Sequence, residues 1–171
     1  KYSYAPDAIV VEGPLAGGHL GFSPEQIGDE KFSLETIVAD VVHEMKAIEE
    51  QAGKTIPVIA GGGVYTGADI HKLLGLGAAG VQMATRFVTT DECDASDDFK
   101  QAYINCGQED ISLIQSPVGL PGRAIINDFL EEAGKGNKKP KACPYHCITP
   151  CKKEAAPYVD LYDFAAVVGA N

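Results

Sequence analysis

Three short apolar runs rich in β-branched residues, at 7–13 (DAIVVEG), 55–60 (TIPVIA) and 80–87 (GVQMATRF), alternate with stretches of helical periodicity. This alternation constrains the fold more than any other feature of the chain. Each run closes on glycine or polar residues, as strands do. Their apolar character is continuous over most of their length, which predicts strands covered on both faces in a parallel sheet. Residues 33–51 place Leu34, Ile37, Val38, Val41, Val42, Met45 and Ile48 three and four apart, predicting an amphipathic helix capped by Ser33 and stopped by Gly53. Shorter helices are predicted at 66–76, with Thr66 as cap, and at 94–106, where acidic residues in the first turn complement the helix dipole. Strand, helix, strand, helix, strand, helix implies parallel pairing through right-handed crossovers, and so an α/β fold.

Beyond Gly107 the pattern loosens. Residues 116–126 (SPVGLPGRAII) hold two prolines and two glycines and read as an ordered loop, followed by a brief helix near 127–133. Lysines and cysteines come next, and a short apolar stretch at 161–169 ends the chain. With 24 acidic against 14 basic residues the net charge is -10, which argues against nucleic acid, because neutralising phosphates requires Lys and Arg in excess. No apolar run approaches the roughly 18 to 20 residues that a membrane-spanning helix needs, so no membrane role is expected. No basic-then-apolar leader is visible ahead of residues 2–11, although a start at Lys1 suggests a processed form or a fragment. All the acids lie outside 135–153, which carries lysines 135, 138, 139, 141, 152 and 153. Such a segment is read first as a solvated surface loop, and second as a dock for a phosphate or an acidic partner.

The glycines carry the functional signal. The first strand runs into GPLAGGHLGF, where adjacent Gly17 and Gly18 would let backbone N–H groups approach a ligand, with His19 at the ligand-facing edge. A tight turn with an exposed His19 explains these residues equally well. The second strand ends in Gly61-Gly62-Gly63 ahead of a helix start at Thr66, an arrangement suited to holding a phosphate. The third run ends at Gln82, Met83, Ala84 and Thr85, with small residues and a hydroxyl at the strand terminus. In a closed barrel of eight strand–helix units, the loops after the last two strands often form the phosphate site.

Taken in order, GPLAGGHLGF, PVIAGGGVYTG, LGLGAAGVQMATRF and SPVGLPGRAI resemble the C-terminal half of the nitronate monooxygenases, long called 2-nitropropane dioxygenases. The resemblance covers roughly residues 7–130 and continues more loosely through CPYHCITPC to Tyr158. It implies that residues 1–133 are the C-terminal portion, strands 6 to 8, of a (β/α)8 TIM barrel that binds FMN, followed by an irregular Lys- and Cys-containing segment at 134–171. It also implies that His19 is the catalytic base and that Gly17 and Gly18 line the flavin. Gly63, with Gly62 beside it, and Gln82, Met83, Ala84 and Thr85 would contact the FMN phosphate. Ala84 stands where the family usually has glycine, a change that keeps the backbone N–H donor.

The implied activity is cytoplasmic oxidation of alkyl nitronates or nitroalkanes by O2 to a carbonyl compound and nitrite. His19 would remove the proton from the carbon bearing the nitro group, a task suited to imidazole near neutral pH. FMN-dependent enoyl-acyl carrier protein reductases share the GGH and ATRF-like elements, so hydride transfer from a nicotinamide through FMN to an enoyl thioester is the alternative. A flavin-binding fragment without activity is a third reading. At 171 residues the chain is short of the roughly 250 of a complete barrel. Three strands leave two open edges, and the missing N-terminal half or another chain is expected to cover them.

Cys143, Cys147 and Cys151 recur every four residues with His146 among them. Zinc or an iron–sulfur cluster is conceivable, but the usual two-residue spacing is absent and Pro144 and Pro150 break the helix that would align the sulfurs. Free thiols and no metal site are therefore expected. Cys93 and Cys106 read as structural, and His43 and His71, on predicted helices, as packing or surface residues.

Overall fold

A computed structural model describes residues 4–115 and 120–135. Cys143, His146, Cys147, Cys151, nearly all of 134–171 and part of the SPVGLPGRAI run lie outside the described residues. The elements in order are β1 (Ile9–Glu12), β2 (Gly18–His19), α1 (Leu34–Ala52), β3 (Val58–Gly61), α2 (Gly67–Gly75), β4 (Gly80–Gln82), α3 (Thr85–Val88), α4 (Asp97–Asn105), β5 (Ile111–Gln115), β6 (Pro121–Ile125) and α5 (Asp128–Gly134). Short 3-10 turns occupy Glu30–Phe32 and Gln108–Asp110. Among the described residues no helix is long and apolar enough to cross a membrane. The described chain divides into two compact units, residues 4–16 with 25–86, and residues 17–24 with 87–115 and 120–135.

In the first unit β1, β3 and β4 form a parallel sheet in that order. Helix α1 begins where expected, with the Ser33 hydroxyl accepting from Thr36 N at 3.3 Å, and Gly53 ends it in the left-handed conformation at φ 66°. Period and register decide what is buried. Val11, Val58 and Ala60 share one sheet face and pack with Leu34, Val38 and Met45 of α1 and Leu73 of α2 in one core.

The other sheet face is open among the described residues, where the sequence pattern predicts strands covered on both sides. Register puts Val10, Ile59 and Gly80 in one row and Glu12, Gly61 and Gln82 in the next. Val10 is 58% exposed, and Glu12 and Gln82 are exposed with it. An apolar residue on the uncovered face looks the same in sequence as one in the core. The third run also departs from expectation: only Gly80–Gln82 is strand, and Thr85–Val88 winds into a helical turn. The reason is pairing. Gln82 is the partner of Gly61, after which β3 turns away through positive-φ glycines, so residues 83–85 have no ladder to join.

In the second unit β2, β6 and β5 form an antiparallel sheet with β6 in the centre. This corrects the reading of 116–126 as a loop, because 121–125 is a strand with Gly122 and Ala124 buried. Proline is tolerated at the first position of a strand, and the Pro121 carbonyl accepts from Leu20 N at 2.8 Å. Helix α4 is capped by Ser96 and α5 by Asn127, whose side chain accepts from Leu130 N at 2.9 Å.

Candidate functional site

The loops at the C-terminal edge of the parallel sheet approach one another backbone to backbone. Gly13 N donates to the Gly61 carbonyl at 2.9 Å. A Cβ on Gly62, which has φ 83°, would lie 2.9 Å from both N and O of Gly13; one on Gly63, at φ 98°, would lie 2.7 Å from Leu15 Cβ. Both positions therefore demand glycine for steric reasons inside the chain. The two glycines pack directly against the β1 loop.

Helix α2 follows as expected, with a carboxylate of its own first turn in its cap. The Asp69 carboxylate accepts from Thr66 N at 2.7 Å, from Tyr65 N at 3.2 Å and from the Thr66 hydroxyl at 2.8 Å, while Thr66 Oγ1 accepts from Asp69 N. These bonds, led by the backbone one from Thr66, hold the Asp69 carboxyl below its usual range. A carboxylate of the same helix thus takes the donors of Tyr65 and Thr66 and sets a negative charge at the dipole end that would otherwise attract a phosphate. The sequence signal of this capping box is the T-x-x-D spacing from Thr66 to Asp69 and not Thr66 alone.

A pocket of about 220 Å³ opens beside Gly62 and Gly63, walled by Leu15, Leu34, Val64 and Leu73 and by the acidic residues Asp29, Glu30, Glu35 and Asp69. Glu35 is paired with Lys72 at 2.7 Å, which lowers the Glu35 pKa and raises that of Lys72 through the shared hydrogen bond. With four carboxylates in its wall, this pocket does not favour an anion.

On the β4 side of the same edge, Gln82, Ala84 and Thr85 are exposed and Met83 is half-buried. Neither Gln82 nor Thr85 has a side-chain hydrogen-bond partner among the described residues. Arg86 follows directly, and its Cζ lies 4.8 Å from the centroid of the Tyr65 ring, joining the segment after β4 to the loop after β3. Arg86 and Tyr65 were not foreseen as site residues. The available signal was scarcity, since Arg86 and Arg123 are the two arginines of the chain.

Gly17, Gly18 and His19 belong to the second unit. Gly18, at φ 67°, and His19 are an edge strand rather than a free turn, paired with Arg123 and Gly122 respectively. Leu20, fully buried, anchors the segment. His19 is half-buried, and burial lowers the pKa of half-buried Arg123. Of the predicted site residues, the first unit thus gathers Gly62, Gly63, Gln82, Met83, Ala84 and Thr85 on one sheet edge, and the second holds Gly17, Gly18 and His19 on one ladder.

Elsewhere, His43 and His71 are exposed on α1 and α2, and no metal-binding cluster occurs among the described residues. Cys93 and Cys106 are free, half-buried thiols. Burial pushes the Cys106 thiol and the Tyr103 hydroxyl up, which suits structural roles.

A family model described as nitronate monooxygenase matches residues 2–159. A probable nitronate monooxygenase of Staphylococcus aureus strain Newman is 36% identical over 132 residues, 74% of this chain and 33% of the relative. A (3aS,4S,5R,7aS)-5-hydroxy-7a-methyl-1-oxo-octahydro-1H-indene-4-carboxyl-CoA dehydrogenase of Mycobacterium tuberculosis is 29% identical, covering 80% of this chain and 34% of its own length. Among solved structures, nitroalkane oxidase from Streptomyces ansochromogenes aligns with a TM-score of 0.56 at 29% identity, over 94% of this chain and 41% of its own. FabK from Thermotoga maritima aligns with a TM-score of 0.57 at 28% identity, over 75% and 36%. The chain therefore spans about a third of the length of these curated relatives.

Proposed function

Because the chain belongs to the nitronate monooxygenase family, we propose that it forms the C-terminal part, strands 6 to 8, of a (β/α)8 barrel enzyme that oxidises alkyl nitronates with O2, yielding a carbonyl compound and nitrite. The observation that carries this reading is the parallel sheet whose C-terminal edge bears Gly62, Gly63 and the Gln82 to Thr85 segment on adjacent strands. Ligands bind at that edge in folds of this kind. The exposed face with Val10, Glu12 and Gln82 supports the partner reading, because in a closed barrel it would face the interior. The remaining strands would come from a preceding part of a longer polypeptide or from a second chain.

The β4 side of the edge fits the phosphate of FMN by its donors: the exposed Gln82 amide, the Thr85 hydroxyl and backbone N–H groups of 83–85. Gly62 and Gly63 would flank that phosphate, and Gly17 and Gly18 would line the flavin ring. When bound, FMN supplies the electron-accepting chemistry. His19, positioned by its ladder with β6, would take the proton from the carbon bearing the nitro group when the neutral nitroalkane is the substrate. In the full chain, His19→Asn should abolish nitrite release from a nitroalkane and spare release from the preformed nitronate. Equal nitroalkane turnover by wild type and variant would overturn the role of His19.

The likeness to FabK favours a second reading, an FMN-dependent enoyl-acyl carrier protein reductase. Consumption of NADH with a crotonyl thioester, without nitrite release from nitronates, would select it.

A further inference from the structure

The parallel-sheet edge contains a cation that its expected role in phosphate binding does not yet use. Arg86 stands at the end of the Gln82 to Thr85 segment, and its guanidinium carbon lies 4.8 Å from the Tyr65 ring centroid. Tyr65 is tied into the glycine loop by its backbone bond to Asp69. Arg86 and Tyr65 thus join the loop after β3 to the segment after β4. Among the described residues no carboxylate pairs with Arg86, whereas Lys54 and Lys72 are committed to Asp7 and Glu35. A cation–π contact fixes the position of a positive charge without neutralising it.

The charge is needed here. A phosphate approaching from the pocket side meets Asp29, Glu30, Glu35 and Asp69. The N-terminus of α2, the obvious alternative source of positive potential, carries the Asp69 carboxylate, whose negative charge offsets it. The chain as a whole carries a net charge of -10. What remains on the β4 side is the Arg86 guanidinium, whose fork of N–H donors matches the oxygens of a phosphate monoester in a way that an ammonium does not.

We propose that Arg86, braced on Tyr65, is the cationic anchor of an anion subsite at this edge, and that its ligand is the phosphate monoester of the flavin. The assignment rests on the proposed FMN-binding function. It adds to that reading the residue that distinguishes a phosphorylated flavin from an unphosphorylated one, and a second-loop residue, Tyr65, that positions it.

The test compares FMN with riboflavin by equilibrium titration of flavin fluorescence in the full chain. Wild type binds FMN more tightly than riboflavin. Arg86→Ala lowers FMN affinity about tenfold or more, the size of a lost charge-assisted hydrogen bond, and leaves riboflavin affinity unchanged. Arg86→Lys restores part of the preference, Tyr65→Phe keeps it, and Tyr65→Leu weakens it less than Arg86→Ala does. Should Arg86→Ala lose its far-UV circular dichroism, Arg86→Gln takes its place with the same expected outcome. If wild type holds both flavins equally well or holds neither, the phosphate-site reading falls and the Arg86 assignment falls with it. If wild type prefers FMN and the neutral Arg86 variants keep that preference in full, the assignment alone is overturned. An equal loss of both flavins also overturns it, because Arg86 would then shape the loop rather than meet the phosphate.

Discussion

In the parallel sheet the candidate ligand residues lie beyond the strand ends, in loops whose path depends on Gly62 and Gly63. In the antiparallel sheet His19 lies within a strand, and its place depends on pairing with Gly122 of β6. Glycine serves both regions, but for different reasons. At Gly62 a side chain would strike backbone, Gly13 N and O at 2.9 Å, from a positive φ. At Gly122 the backbone is extended within β6, and an added Cβ would meet Gly18 O and Ile114 at 3.3 Å. A loop site is thus held by steric exclusion, whereas a ladder site is held by hydrogen-bond register. The first fails abruptly when a single atom is added; the second gives way by degrees.

The largest test of this contrast is Gly62→Ala. Left-handed strain and overpacking together should cost about 4 kcal/mol, read as a lower urea midpoint. A variant as stable as wild type would show that the loop can rearrange, and the steric account of this edge would fail. Next comes Leu20→Ala, which removes the fully buried side chain beside His19 and should cost about 3 kcal/mol through the cavity it leaves. Its unfolding curve would show whether the antiparallel segment is held by packing as well as by its ladder. Gly53→Ala sharpens the comparison from the other direction, since Gly53 has a positive φ of 66° and nothing within 4 Å of an added Cβ. It should cost only about 1 kcal/mol, the conformational part alone. The smallest effect is the acid dependence of Glu35. Lys72 holds its carboxyl below the usual range, so the unfolded chain takes up a proton more readily than the fold does. That contribution is complete above about pH 5 and fades as pH falls below about 4. Glu35→Gln should therefore narrow the gap in urea midpoint between pH 7 and pH 3, and an unchanged gap would show that the pair contributes nothing.

Much of the first unit was legible. The spacing of Leu34, Val38 and Met45 marked the buried stripe of α1, and Ser33 and Gly53 bracket the helix as they stand in sequence. These signals are local, written within one or two turns of the residues they govern. β6 was not legible, because Pro121 and Gly122 are loop formers by local preference and become strand only through partners at 18–19 and 111–115. The third run failed for a related reason, as nothing in QMATRF reveals that the partner strand leaves after Gly61.

By itself the sequence determined the alternation of strand and helix, the glycines at the strand ends and the family to which the chain belongs, since each follows from short-range periodicity, turn chemistry or motif order. Only the tertiary structure decided that the glycines of the β3 loop are already pressed against the β1 loop, that the Asp69 carboxylate caps the helix end behind them, and that Arg86 reaches Tyr65 across the intervening α2 and β4. Steric exclusion and charge act through space, and the residues they connect are separated in the chain by whole elements of the fold.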